Sequence, residues 1–237
     1  MLKSVLLAAS LAVSCMCVQA QVKKPAPKST VAVTPKSKEK LVEIMTSMGT
    51  IVVKLYDSTP QHRDNFVRLV KEGFYDSLLF HRVIDGFMVQ GGDPTSRNAD
   101  STTMLGAGSA PGVERIPAEF KNNLIHKKGA LAAARDNNPQ MASSNCQFYI
   151  VQGKPYSDVE INMMECRARQ NNPAFTYTDA QRKVYKTLGG TPFLDQNYTV
   201  FGEVVKGLEV IDLIAKAPRN GSDRPLKNVY MKMRLLN

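Results

Sequence analysis

The chain has 237 residues, of which 43% are hydrophobic, so it is long enough to bury a core within one domain of ordinary size. Its net charge is +10, but half of that excess lies in residues 21–40, where six lysines stand against one glutamate. The rest of the chain is only modestly basic, which argues against nucleic acid as a partner.

The first twenty residues, MLKSVLLAASLAVSCMCVQA, have the composition of a secretory signal peptide. One early lysine precedes an apolar run from Val5 to Val18, and a small residue, Ala20, ends the segment. The run is too short for a comfortable membrane span, because a spanning helix needs roughly 20 apolar residues. We predict cleavage after Ala20 and export to the periplasm or envelope of a bacterium. A buried N-terminal helix, a membrane anchor and a lipoprotein acylated at Cys15 are the alternatives.

Residues 21–40, QVKKPAPKSTVAVTPKSKEK, predict a disordered basic tether. Lysine, proline, serine and threonine dominate the segment, and such a composition cannot bury enough apolar surface to fold. Contact with a polyanion or an anionic membrane is the alternative function for this charge. Residues 41–237 then form the folded domain.

Two cysteines, Cys146 and Cys166, would remain after the predicted cleavage. Two cysteines do not make a disulfide framework, and the sequence has no Cys-x-x-Cys pair for a structural zinc. We expect two buried free thiols. A disulfide between them is the alternative, since sequence does not show whether their Cβ atoms meet.

Residues 41–73 predict a β-hairpin followed by a helix. Apolar residues alternate with other residues on both sides of a turn at Gly49. Thr59 then provides an N-cap, Pro60 the first helical residue, and Gly73 the end of the helix.

Six further short strands and a second helix follow along the chain. The predicted strands are residues 80–84, 88–91, 129–134, 147–151, 200–205 and 229–236, and the helix covers about 208–215. This pattern favours a mainly β fold, a closed eight-stranded antiparallel β-barrel whose open ends are capped by two α-helices. A β-sandwich with two stray helices is the alternative.

The segment at about 157–190 interrupts this pattern and predicts a helical-hairpin insert. Ser157 with Glu160, and Thr178 with Gln181, have the spacing of capping boxes at two helix starts. A pair of glycines, residues 189 and 190, ends the second helix. We expect the two helices to fold against the barrel.

Standard catalytic motifs are missing from the sequence. It contains no Gly-x-Ser-x-Gly, no His-Glu-x-x-His and no phosphate loop. Its three histidines, His62, His81 and His126, lack the spacing of metal ligands. A hydrolase or metalloenzyme is therefore unsupported, and we expect neither a metal nor a cofactor.

One motif, FHRVIDGFMVQGGDP at residues 80–94, places a cation, an aromatic ring, a thioether and an amide close together without a nucleophile. It occurs in order with NFVRLVKEGFYD, IPAEF, GALAAAR, CQFYIV and FLDQNYTVFGEVVKGLEVID. Together these segments resemble the cyclophilin-type peptidyl-prolyl cis-trans isomerases over residues 41–236, apart from the insert. The resemblance implies an eight-stranded barrel with two helices, and an enzyme that acts on proline-containing unfolded or newly exported polypeptides without a nucleophile.

The resemblance also implies roles for particular residues. Arg82 would be the catalytic residue, and Gln90 would hold Arg82 and the substrate backbone by hydrogen bonds. The substrate-binding positions would be Phe87, Met88, Ala134, Arg135, Tyr149, Phe193, Leu194 and Tyr198. The insert would lie beside the mouth of this site, where it would affect which clients enter and leave the chemistry alone.

Three of these positions depart from the family pattern. Tyr198 stands where the family has a pocket histidine, and Phe193 where many relatives have tryptophan. Tyr149 replaces a more usual phenylalanine, so the pocket floor gains a hydroxyl.

An exported foldase is the function that this sequence favours. A non-catalytic module that holds proline-containing segments, with the insert recruiting a partner, is the alternative.

Overall fold

The structure is a computed structural model that describes residues 40–236. The predicted signal peptide, and all but the last residue of the predicted tether, lie outside the described residues. The strands are β1 (Leu41–Thr46), β2 (Gly49–Leu55), β3 (Phe80–Ile84), β4 (Met88–Gly91), β5 (Arg115–Ile116), β6 (Ala130–Ala133), β7 (Ser143–Ser144), β8 (Phe148–Val151), β9 (Val200–Lys206) and β10 (Met231–Leu235). The α-helices are α1 (Pro60–Lys71), α2 (Asp158–Ala168), α3 (Asp179–Thr187) and α4 (Leu208–Ala215).

Eight strands form one antiparallel sheet in the order β10-β1-β2-β9-β6-β8-β4-β3. The β1–β2 hairpin is present as predicted, and its alternation places Ile44, Ile51 and Val53 fully inside the core. A second, two-stranded sheet pairs β5 with β7 and was not predicted from the sequence.

The closed barrel predicted from the sequence is wrong in one respect, because the sheet is an open half-barrel. Its edge strands, β3 and β10, do not form a ladder with each other. They approach at their starts, through an isolated bridge between Leu79 and Tyr230 and a 2.9 Å hydrogen bond from Phe80 N–H to the carbonyl of Val229. Two more backbone hydrogen bonds join Met231 of β10 to Leu78 and Ser77, at 2.8 and 2.9 Å, but these two residues precede β3.

Helices α1 and α4 cover the main core. Phe66 and Leu69 of α1, and Ile211 and Ile214 of α4, belong to the same buried cluster as the inward side chains of the sheet. Thr59 stands at the N-cap position of α1, but its hydroxyl donates to the carbonyl of Tyr56 rather than capping the helix. The predicted N-cap position is therefore confirmed, but Thr59 makes no side-chain capping bond, and its buried hydroxyl is satisfied locally instead.

The insert consists of α2 and α3, and both predicted capping boxes are present. Its side chains form a separate buried cluster that includes Ile161, Phe175 and Tyr185. The two ends of the insert meet, because Lys154 and Gly190 exchange backbone hydrogen bonds of 3.3 and 3.0 Å. Helix α2 also packs against a short 3₁₀ turn, Pro192–Leu194, that leads into the candidate site.

The two cysteines of the folded region are both free. Cys146 is buried, and burial raises the pKa of its thiol to about 11. Cys166 is exposed on α2, which corrects the expectation of two buried thiols. Within residues 40–236, no helix is both long enough and apolar enough to cross a membrane.

Candidate active site

A β-bulge places the predicted catalytic arginine. In the pairing of β3 with β4, Phe80 faces Gly91 and Arg82 faces Gln90, so His81 is an extra residue without a partner position. A bulge of this kind redirects neighbouring side chains. His81 is consequently buried, only 4% exposed, while the next side chain, Arg82, is 40% exposed and reaches the pocket described below.

The bulged histidine is held in its neutral form. Neither ring nitrogen of His81 has a hydrogen-bond partner among the described residues. The pKa of His81 is lowered to about 4, mainly by burial; the carboxylate of Asp93 partly opposes this shift, and the charges of Arg82 and Arg224 add to it. Because the His81 ring is neutral, the guanidinium of Arg82 is the cation that β3 places at the pocket.

Three predicted site residues lie side by side on neighbouring strands. Arg82 of β3 faces Gln90 of β4, and Gln90 faces Tyr149 of β8. Nη1 of Arg82 donates to Oε1 of Gln90 at 3.4 Å, and Nε2 of Gln90 donates to Oε1 of Gln147 at 3.3 Å. Gln147 is fixed in turn by the carbonyls of two loop glycines, at 2.9 and 3.0 Å.

Two further contacts orient the guanidinium of Arg82. Its Nε lies 3.6 Å from Oδ2 of Asp223, and its Cζ lies 6.0 Å from the centre of the Phe87 ring. Asp223 also lies 3.4 Å from Arg219, so its carboxylate is shared between two cations. The charge of Arg82 is therefore only partly balanced by protein groups.

A pocket of about 100 Å³ opens beside Arg82. It is lined by Arg82, Phe87, Met88, Gln90, Ala134, Arg135, Tyr149, Leu194 and Tyr198. All of these were proposed as site residues from the sequence. Phe193 is the exception, because its ring packs against Phe87 at 5.5 Å and supports the wall without lining the pocket.

The polar rim of the pocket is formed by Arg135 and Tyr198. The guanidinium of Arg135 lies 4.7 Å from the centre of the Tyr198 ring, a cation–π contact. Its Nε donates to the carbonyl of Asn197 at 3.0 Å, and Nη2 donates to Oδ1 of Asn197 at 2.5 Å. Arg135 is thus held by its surroundings and serves as a second positive charge at the rim.

Several residues of the site were not found by sequence reasoning. Gln147 and Asp223 contact Gln90 and Arg82, but nothing in their local sequence distinguishes them from surface polar residues. His126 lies behind Tyr149 and is bonded to its hydroxyl, and Asp195 is bonded to the other nitrogen of the His126 ring. These two residues differ from ordinary polar residues only in being fully buried, and sequence does not reveal burial.

The fold and the pocket define a class of protein: an antiparallel β half-barrel with a cleft for a small ring, whose walls carry apolar side chains next to a fixed arginine and no nucleophile. The sequence model of the family described as "Cyclophilin type peptidyl-prolyl cis-trans isomerase/CLD" matches residues 41–234. The chain belongs to this family, and it is a peptidyl-prolyl cis-trans isomerase, whose substrates are proline-containing polypeptides.

Bacterial relatives agree with this assignment. A Staphylococcus aureus (strain USA300) protein named peptidyl-prolyl cis-trans isomerase is 35% identical over 192 residues, which cover 81% of this chain and 88% of that protein. A Staphylococcus haemolyticus protein of the same name is 31% identical with the same coverage. A Streptococcus pyogenes protein named bifunctional phosphatase/peptidyl-prolyl cis-trans isomerase is 36% identical, but the match spans only 37% of its length.

Solved structures agree with the fold. The crystal structure of a cyclophilin-type isomerase from Cryptosporidium parvum superposes with a TM-score of 0.61 at 22% identity, covering 84% of this chain and 98% of that one. A second structure of the same protein, obtained in the presence of the dipeptide Ala-Pro, gives a TM-score of 0.60.

Proposed function

We propose that this isomerase accelerates rotation about Xaa-Pro bonds in exported client proteins, that the pocket beside Arg82 is its catalytic site, and that it acts in the periplasm or at the envelope of a bacterium. The observation that carries the proposal for the site is the position of a partly balanced guanidinium at the edge of a pocket of about 100 Å³, which has apolar side chains on its walls and polar ones at its rim. That arrangement supplies hydrogen-bond donors beside a surface for one small ring.

Rotation about an Xaa-Pro bond needs little more than such a donor and such a surface. A peptide bond resists rotation because the nitrogen lone pair is delocalised into the carbonyl, with a barrier of about 18–20 kcal/mol. The cis and trans forms of Xaa-Pro differ by only about 0.5–1 kcal/mol, yet they exchange over tens of seconds or longer. Catalysis therefore requires only interactions that are stronger with the twisted amide than with the planar one.

Arg82 supplies such an interaction in our proposal. In the twisted amide the prolyl nitrogen becomes pyramidal and can accept a hydrogen bond, which it cannot do in the planar form. The guanidinium of Arg82 would donate that bond. Gln90 would keep Arg82 in place, as the 3.4 Å contact between them suggests, and would contact the substrate backbone.

The walls of the pocket would hold the pyrrolidine ring while the preceding segment rotates. Phe87, Met88 and Leu194 provide apolar surface, and Tyr149 closes the floor. Ala134 and Arg135 line the side along which a peptide backbone would pass. Contacts of this kind bind the ground state and the transition state about equally, so they would set KM more than kcat.

The client class follows from the N-terminal sequence. A signal-like segment at residues 1–20 and a lysine-rich, proline-rich segment at 21–40 favour export, followed by a tethered isomerase domain. Protein purified from its native envelope would then have the intact mass of a chain that begins at Gln21. Retention of Met1, or a lipid on Cys15, would contradict this part of the proposal.

Two assays test the function directly. A protease-coupled or fluorescence assay on a short Xaa-Pro peptide measures kcat and KM for the site. A refolding assay on an exported protein, whose slow phase is limited by proline isomerisation, measures action on a client. We expect acceleration in both assays. Activity on the peptide without any effect on the slow refolding phase would contradict the foldase role and leave the site assignment standing.

A further inference from the structure

A chain of buried hydrogen bonds joins the floor of the pocket to the helical insert. The hydroxyl of Tyr149 lies 3.0 Å from Nε2 of His126, and Nδ1 of His126 lies 2.7 Å from Oδ1 of Asp195. On the other side of the carboxylate, Oδ2 of Asp195 accepts from the hydroxyls of Tyr177 at 2.6 Å and Tyr185 at 2.5 Å. Both of these tyrosines belong to the insert, so three hydrogen bonds separate the insert from a residue that lines the pocket.

The carboxylate of Asp195 is the centre of this chain. Its side chain is 1% exposed, and it accepts a further hydrogen bond from the backbone N–H of His126 at 2.8 Å. A buried carboxylate needs such donors because it has lost its water. Burial raises the pKa of Tyr177 and of Tyr185 well above the ordinary value, so both hydroxyls remain protonated donors.

Asp195 also determines how the imidazole of His126 is protonated. A carboxylate only accepts hydrogen bonds, so Oδ1 of Asp195 selects the tautomer with the proton on Nδ1, in which the lone pair lies on Nε2. Nε2 then accepts a hydrogen bond from the hydroxyl of Tyr149, whose ring is nearly parallel to the imidazole, with the ring centres 6.1 Å apart. The polar end of Tyr149 is thereby held away from the pocket, although its ring lines that pocket.

The insert is built to hold its two tyrosines in place. Tyr185 lies on α3 and is fully buried, and its ring meets that of Tyr177 edge to face at 5.5 Å. The backbone N–H of Tyr177 donates to Glu165 of α2 at 3.0 Å. Glu165 in turn binds Arg169 at 2.5 Å and Arg182 of α3 at 2.6 Å, which fixes the two helices against each other.

We propose that Tyr177 and Tyr185 are positioning residues for prolyl isomerisation: through Asp195 and His126 they keep Tyr149 in place as the floor of the pocket. The proposal rests on the proposed role of that pocket. Without the two hydroxyls, Asp195 loses two donors and the imidazole loses its fixed orientation. The Tyr149 hydroxyl is then free to turn toward the pocket, where a proline ring offers it no partner.

The first test is the double variant Tyr177→Phe/Tyr185→Phe, assayed on a short Xaa-Pro peptide. We expect KM to rise about fivefold, as for the loss of one hydrogen bond, and kcat to stay within about twofold, because the pocket walls bind the ground and transition states alike. The matched control is Tyr156→Phe. Tyr156 packs against the same insert cluster, its hydroxyl is not among the described partners of Asp195, and its KM should remain that of the wild type.

The second test repeats the double variant in a Tyr149→Phe background. If the insert acts through the Tyr149 hydroxyl, removing that hydroxyl should abolish most of the rise in KM, a non-additivity that a merely structural role does not produce. Nitrogen-15 NMR of His126 should show an unprotonated Nε2 in the wild type and a changed signal in the double variant. Circular dichroism and urea unfolding check that each variant is folded.

The outcomes separate the two proposals. An equal rise in KM in both backgrounds, or a wild-type KM together with an unchanged His126 signal, would overturn the positioning role. A Phe87→Ala variant with the wild-type KM would reject the pocket as the proline site, and the positioning role with it. A raised KM in Phe87→Ala with additive tyrosine effects would reject the positioning role alone.

Discussion

Arg82 and Gln90 face each other across β3 and β4, and Nη1 of the arginine donates to Oε1 of the glutamine at 3.4 Å. The bulge at His81 makes this pairing possible, because it turns the following side chain toward the pocket. A guanidinium has five N–H donors, and this contact uses only one of them. Nε faces Asp223 at 3.6 Å, so the donors left for a substrate are those of the two Nη atoms that do not bond Gln90.

Replacing Arg82 by alanine should lower kcat strongly and change KM little. The variant loses a donor that acts mainly on the pyramidal prolyl nitrogen, and such a loss typically costs about 3–4 kcal/mol, or roughly a hundred- to a thousandfold in rate. Arg82→Lys should recover little, since an ammonium does not reproduce the planar array of guanidinium donors. Exchange NMR on a short Xaa-Pro peptide measures both constants. Near wild-type turnover in a folded Arg82→Ala protein would reject the catalytic assignment.

Phe87 and Phe193 offer a matched pair, because one ring lines the pocket and the other only supports it. Phe87→Ala removes a wall and should weaken peptide binding by about 2 kcal/mol, the value of burying one large apolar side chain. Phe193→Ala should have a clearly smaller effect on KM. Peptide titrations followed by NMR compare the two affinities. Equal losses would mean that Phe193 contacts substrate directly.

The stability of the protein should depend on His81 in weakly acidic solution. Burial lowers the pKa of His81 to about 4, from 6.5, so between these pH values the unfolded chain binds a proton that the folded chain does not. The folded protein therefore keeps its full free energy of unfolding, as far as His81 is concerned, above pH 6.5. It loses that part of its stability as the pH falls toward 4. That part is on the order of 3 kcal/mol.

The variant His81→Leu isolates this contribution, because its side chain does not titrate. Urea unfolding at pH 7 and pH 4 should show a smaller fall in the free energy of unfolding for the variant than for the wild type. Carboxylates elsewhere, such as Glu119 and Asp212, have lowered pKa values and also cost stability in acid, but they do so in both proteins. The same fall in both would contradict the neutral buried histidine.

Local sequence patterns predicted the elements well where the pattern itself sets the boundary. Strands β3 and β4 and helix α4 begin and end at the predicted residues, and both capping boxes of the insert are formed. In each case a short-range cause operates: a glycine, a period of two, or a side chain that bonds a backbone N–H three residues later.

Long-range contacts explain what the sequence did not predict. Closure of the barrel depends on how far residues near Leu79 and Tyr230 pair, which no local pattern encodes. The residues predicted for the site came from the family resemblance, and the structure brings all but Phe193 to the pocket surface. The partners of Asp195 lie 10 to 69 residues away along the chain, so their alignment emerges only in the folded protein.

The base of the insert is tightly packed at Gly190, and a single methyl group there should be costly. A Cβ added to Gly190 would lie 2.2 Å from the carbonyl oxygen of His126 and 2.7 Å from the Tyr185 ring. The backbone at His126 cannot yield easily, because its N–H is bonded to Asp195 and its carbonyl to Thr191. The strain therefore falls on the ring of Tyr185 and on the junction of the insert.

We expect Gly190→Ala to lower the free energy of unfolding by about 1–3 kcal/mol, the usual cost of overpacking. The matched control is Gly221→Ala, at an exposed site where an added Cβ meets nothing within 4 Å. That variant should be neutral, or more stable by up to about 1 kcal/mol, because alanine restricts the unfolded chain. Urea unfolding measures both. Equal stability of the two variants would show that the junction at Gly190 has room to relax, and that the close contact with His126 does not constrain the insert.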